Sequence, residues 1–240
     1  MYNQAFAFIG AQTLLFQLVL KNGQRATYRF SDYGIPADAK ILYVNYTPGG
    51  GGLFPVEMHG NVPTRRFLAN EVVLYPVPLR VGEAANDTEV NVMVSWVPRT
   101  ANDESWQSLV DAFEAFAHAK YSSMVVPANV AVESALSRVL TTYLERFVSK
   151  QRIEDFLENA ATYSHQLNVL LPVIASLKSL PLLPDHVRGA LNKLRGFRND
   201  LAHAGVLEKP LDSRSAAEAL CGALFGIHYV RYIEEQLAQT

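Results

Sequence analysis

One cysteine, Cys221, stands in 240 residues, which excludes an intrachain disulfide framework and points to a reducing compartment. Its apolar helical surroundings suit a buried, inert thiol. A surplus of either charge is also missing. The chain has 21 Lys and Arg against 23 Asp and Glu, a net of −2. No chain-wide basic field therefore draws it to a polyanion, and any such site is a local patch. A long apolar run is missing too. The first twenty residues, "MYNQAFAFIGAQTLLFQLVL", carry no charge, yet Asn3, Gln4, Gln12 and Gln17 interrupt them. No basic segment or small-residue cleavage site frames them. A membrane span needs about 20 predominantly apolar residues, so this stretch reads as strand and the protein as cytoplasmic, with no membrane partner. No HxH, HExxH or CxxC spacing occurs, so neither a metal nor another cofactor is expected.

What is present changes character near residue 100. Up to that point the chain reads in twos. "TLLFQLVL", "ATYRF", "KILYVNYT", "EVVLYPVPL" and "EVNVMVSWV" are short runs of β-branched, leucine and aromatic residues. They are separated by the turn formers "KNGQ", "SDYGIPAD", "TPGGGG", "GNVPT" and "GEAAND". The last run alternates, with Val90, Val92, Val94 and Trp96 on one side and Asn91, Met93 and Ser95 on the other. The pattern predicts an antiparallel β-sandwich or barrel over 1–100. Pro76 and Pro78 place their strand at an edge. The glycines Gly49 to Gly52 lack the Lys-Ser/Thr and the following helix of a phosphate loop, so they read as a hairpin tip. Arg65-Arg66 reads as two solvated charges.

From "PRTANDES" onward the period is helical. Thr100, with Asn102 or Asp103, is placed to cap a first helix over about 103–121, with Trp106, Leu109, Phe113 and Phe116 on one face. "SSMVVP" should break it, and Pro127 should open a second helix running to about Val148. A third begins near Arg152 and should kink or end before Pro172. A fourth follows Pro184 with Asp185 as its cap, and a last one starts at Ser215, boxed with Glu218, and runs to about Leu237. Short loops between such helices predict an antiparallel bundle over 101–240. The whole is thus α+β in two domains. Residues 1–102 hold 8 Lys and Arg against 7 Asp and Glu, and the remainder 13 against 16. In that acidic helical half the cluster Arg188, Lys193, Arg195 and Arg198 is conspicuous.

The cluster belongs to "LNKLRGFRNDLAHAG", residues 191–205. Leu191, Leu194, Phe197 and Leu201 give the helix its apolar face. A histidine in the last turn and a glycine just past it are ordinary ending signals. Capping and solubility account for every residue here; a catalytic account needs geometry. Asn199 and His203 are four apart and share a face. Arg198 and His203 are five apart, about 140° on an ideal helix. A frayed helix end, or a twofold pair of helices, brings them together.

"RNDLAH", Arg198 to His203, resembles the signature of the HEPN superfamily: an arginine with a polar neighbour, then a histidine after four to six intervening residues. The resemblance covers 103–240, where a helical domain with a closing helix after the motif also fits; it does not extend to the β half. It implies a metal-independent endoribonuclease of the toxin–antitoxin, abortive-infection or other antiviral kind, acting as a homodimer whose two motifs share one cleft. It equally implies relatives that have lost catalysis and serve as dimerisation or interaction modules.

The chemistry follows from the residue types. Cleaving RNA through its own 2′-hydroxyl needs a base, an acid for the leaving 5′-oxygen, and positive charge on the transition state. Histidine ordinarily titrates near neutrality, which suits His203 to proton transfer. Arg198 suits a grip on two phosphate oxygens, and Asn199 the orientation of the imidazole or phosphate. Arg195, one turn earlier, is a substrate-binding candidate at a flanking phosphate. Glu133, which interrupts "VAVESAL", is another at a polar site in the bundle. Both also read as solvated side chains. His118, His165 and His228 read as structural. RNA is thus the expected substrate. The β domain is a sensor or a docking module for an antitoxin, a phage component or another protein. A nucleotide-binding sensor that holds phosphate without cleaving it is the remaining alternative.

Overall fold

The computed structural model describes residues 10–49, 52–59, 62–63, 70–80, 86–98, 104–207 and 209–239. It divides into two compact units, Met1–Ala101 and Asn102–Thr240, and is a mixed α+β structure. The expected cap at Thr100, Asn102 and Asp103, the Arg65-Arg66 pair and the centre of the glycine run lie outside the described residues.

The first unit carries β1 (Gln12–Leu20), β2 (Ala26–Arg29), a 3-10 turn (Phe30–Tyr33), β3 (Lys40–Pro48), β4 (Leu53–His59), β5 (Val62–Pro63), β6 (Glu71–Pro78) and β7 (Thr88–Val97). They pair into two antiparallel sheets, β1-β7-β3 and β2-β6-β4-β5. The alternation in β7 sets the register: Val94 lies opposite Leu14 on one side and Val44 on the other. Val90, Val92, Val94 and Trp96 all enter the buried cluster as the pattern predicts. That cluster also takes Leu18 and Leu20 from β1, Leu53 from β4 and Val72 and Leu74 from β6, so residues of both sheets share one core. Among the described residues neither sheet closes on itself, and the barrel alternative is not seen.

Strand β4 was not expected. Its sequence, "LFPVEMH", has no clean alternation and a proline as its third residue. Pro55 is tolerated because it lies opposite Pro76 of β6, where neither residue has an N–H to give. Pro76 and Pro78 do not make β6 an edge strand of its sheet, since β6 pairs with β2 over Glu71–Leu74 and with β4 over Leu74–Pro78. They sit beyond the point where β2 ends, so the proline rule holds residue by residue and fails for the strand as a whole.

The second unit consists of α1 (Glu104–Ala117), α2 (Tyr121–Leu144), α3 (Lys150–Asn159), the short α4 (Tyr163–His165), a π-helical segment (Gln166–Leu170), α5 (Leu171–Leu177), α6 (Asp185–Ala204) and α7 (Ser213–Ala238). Helix α2 packs against α1, α3, α6 and α7. It is accordingly lined with buried alanine, valine and leucine: Ala128, Ala131, Val132, Ala135, Leu136, Val139 and Leu140.

The break expected at "SSMVVP" falls earlier, at Ala119, whose φ of 56° ends α1. Pro127 lies inside α2. An interior proline costs about 3 kcal/mol. Met124 and Val125 in the turn before it are fully buried, worth about 1.5–3 kcal/mol each, which carries the helix through. The disturbance expected before Pro172 takes the form of the π segment, whose longer hydrogen-bonded turn makes room for a residue with no N–H. Two caps differ from expectation. Pro184, not Asp185, precedes α6. Helix α7 begins at Ser213, with Asp212 Oδ1 accepting from the Ser215 N–H at 2.8 Å. Ser215 is therefore the capped residue rather than the cap.

Candidate functional site

Helix α6 is the scaffold of the site. Val187, Leu191 and Leu194 bury one side of it, and α7 presses against it so closely that Gly222 and Gly226 face Ala190 and Leu191. The helix ends where Gly205 turns left-handed at φ 71° and donates its N–H to the Leu201 carbonyl at 3.0 Å. His203 is therefore held in the last turn, near the negative end of the helix dipole.

Arg198 is exposed, Asn199 half-buried and His203 exposed. Arg198 Nη1 donates to Asn199 Oδ1 at 3.4 Å, a long contact that folds the guanidinium over its neighbour. The structure does not join Arg198 to His203: the two share no hydrogen bond, and the imidazole has no partner among the described residues. Asn199 lies between them, beside Arg198 in sequence and one turn below His203. Within one chain the motif is a fan of three polar groups on a helix end.

The four cations of the cluster differ in their pairing. Arg188 is taken by Asp185 at 2.5 Å and Lys193 by Glu218 at 3.9 Å. Arg195 and Arg198 have no carboxylate partner among the described residues. Of the histidines read as structural, His165 is exposed and its Nδ1 meets Thr162 Oγ1 at 3.0 Å, and His228 packs edge-on to Trp106 with centroids 6.0 Å apart. Cys221 is only half-buried, and that burial raises its thiol pKa.

Glu133 on α2 is half-buried and accepts from Asn129 Nδ2 at 3.1 Å. Its carboxylate and the Arg195 guanidinium both act on the Tyr163 hydroxyl, whose pKa burial pushes upward, so it stays a neutral donor. Tyr163 and Asn129 were missed in the sequence. Tyr163 lies in "TYSHQL", where nothing but the histidine drew notice, and Asn129 reads as a helix-surface amide. Both are buried, at 8% and 2% exposure. The Tyr163 hydroxyl, Asn129 Oδ1, Gln166 Oε1 and Arg195 Nε are all sealed from solvent without a partner. Each such atom costs about 1–3 kcal/mol, so the cluster does not serve stability. A further pair, Asn168 and Asn192, ties the π segment to α6 through reciprocal amide contacts of 3.3 Å.

The described residues contain no group of three His, Cys, Asp or Glu suited to a metal ion, and no described helix is long and apolar enough to cross a membrane. No protein-family model, curated protein or solved structure matches the chain.

Proposed function

We propose that the helical unit is a HEPN-like, metal-independent endoribonuclease of a defence or toxin–antitoxin setting, working in the cytoplasm as a homodimer. The observation that carries this reading is the pairing pattern on α6. Of four clustered cations two are neutralised, and one of the two left over, Arg198, touches Asn199 within a turn of the unpartnered His203. In this reading Arg198 grips the scissile phosphate, His203 moves the proton, and Asn199 orients them. Arg198 and His203 stand about 140° apart on one helix, so a second copy across a twofold axis supplies the complementary group. We also read the β unit as a two-sheet sandwich, because both sheets feed one buried cluster, and as the sensor or partner-binding module. The separation of Arg198 from His203 in one chain favours a second reading, a non-catalytic interaction module.

The test is end-labelled RNA incubated with purified protein in EDTA. Fragments from the wild type, and none from Arg198→Ala or His203→Ala proteins of unchanged helix content and oligomeric state, support cleavage. Intact RNA in every lane favours the interaction module.

A further inference from the structure

Apart from the exposed motif, the helical unit holds a cluster of the buried Asn129 and Tyr163 with the half-buried Glu133 and Arg195, drawn from α2, α4 and α6. It plays no part in the cleavage chemistry proposed above. Its unpaired atoms are complementary in kind: Arg195 Nε is a donor, Asn129 Oδ1 an acceptor, and the Tyr163 hydroxyl either. Glu133 supplies the one carboxylate whose charge, like that of Arg195, reaches Tyr163. Arg195 itself is divided. Its Nε is sealed in the bundle, while its two terminal nitrogens have no partner among the described residues and are not among the sealed atoms. They therefore reach solvent, pointing outward from a base set in the interior.

Helix geometry says where they emerge. Arg195, Asn199 and His203 follow one another at intervals of four, which spreads them over about 80° of the helix, against about 140° between Arg198 and His203. The guanidinium on the imidazole's own face is thus that of Arg195. At 1.5 Å per residue it lies about 12 Å along the axis from His203, too far for the phosphate under attack and suited to a neighbouring one.

We propose that Arg195 binds a flanking phosphate of the RNA strand, and that Glu133 is a positioning residue whose charge keeps the inner end of that guanidinium in the bundle. The inference rests on the RNA-binding part of the reading above and adds two residues to it. Phosphate is favoured over a base edge at the outer end, because that end offers guanidinium donors and no acceptor.

The experiment is equilibrium binding of a fully 2′-O-methylated RNA oligomer, which resists attack by its own 2′-oxygen, to full-length protein over a range of salt. Each phosphate contact on a single strand adds about 0.7 to the slope of log affinity against log salt. Arg195→Ala should lower that slope by about 0.7 and weaken binding about tenfold or more, with Arg195→Lys intermediate. Glu133→Gln separates positioning from simple electrostatics. Removing a nearby carboxylate should strengthen RNA binding if Glu133 only repels the strand, and weaken it if Glu133 seats Arg195. Thermal melts of each variant identify any loss of fold. An unchanged slope in Arg195→Ala, or tighter binding by a folded Glu133→Gln protein, overturns the inference alone. Binding with the expected slope change, but no cleavage of natural RNA, removes the ribonuclease and leaves this site. No RNA binding by the wild type removes both.

Discussion

Replacing Gly222 with alanine tests how firmly α6, the carrier of Arg195, Arg198, Asn199 and His203, is seated. A methyl built at Gly222 falls 2.5 Å from the Ala190 Cβ and 3.4 Å from the Ala190 carbonyl carbon. Packed carbons sit about 3.5–4.0 Å apart, so Ala190 must retreat by about 1 Å or more. An alanine has no rotamer by which to yield, and the backbone of α6 moves with it. Overpacking of this kind costs about 1–3 kcal/mol, against which the better helix propensity of alanine returns about 1 kcal/mol. The expected net loss is about 0–2 kcal/mol, so the stability read from the urea midpoint, at unchanged slope, should fall about 1–3 kcal/mol short of a helix that keeps the propensity gain alone. Gly189→Ala is the control: nothing lies within 4 Å of that position, so the propensity gain stands alone and the midpoint should rise. Exchanging the two partners in a Gly222→Ala, Ala190→Gly protein should restore most of the loss. A Gly222→Ala protein as stable as the Gly189→Ala control would refute the packing argument.

Three further outcomes are expected. Gly205→Ala places a side chain at φ 71° and should cost about 1 kcal/mol, fraying the turn that holds His203 and lowering cleavage without altering RNA affinity at the Arg195 end. Asp212→Ala removes the cap of α7, whereas Asp212→Asn keeps an acceptor and should stay closer to the wild type in a urea titration. Because the Ser215 hydrogen bonds lower the Asp212 carboxyl below its usual 3.8, its contribution is present above that pH and fades as the pH falls through the lowered value. Burial raises the Glu57 carboxyl above 4.5, although the nearby Tyr46 hydroxyl eases the penalty without forming a well-shaped hydrogen bond. Stability is therefore lost as the pH rises past 4.5 toward the raised value, and Glu57→Gln should gain on the wild type as the pH rises from 4 to 7.

Elements whose burial follows a simple period were legible in the sequence. The alternation in 88–97 gave β7 and its inward residues, and the spacing of Leu191 and Leu194 gave the inner face of α6. What stayed hidden depended on contacts distant in sequence. Strand β4 exists because Pro55 meets another proline across the sheet. Helix α2 survives Pro127 because Met124 and Val125 find a buried surface. The same holds at the site. The motif from Arg198 to His203 is local and could be quoted as a string. That Arg188 and Lys193 are neutralised while Arg195 is not depends on Asp185 and Glu218. The cluster around Tyr163 needs three helices brought together, and no spacing along one of them announces it.

The most direct test of the central claim is the chemical nature of the cut ends. With a labelled RNA in EDTA, the account predicts a 2′,3′-cyclic phosphate on the 5′ fragment and a free 5′-hydroxyl on the other. A single 2′-deoxy substitution on the 5′ side of a cut should abolish that cut alone. Fragments ending in 3′-hydroxyl and 5′-phosphate, or undiminished cutting at the deoxy position, would contradict it.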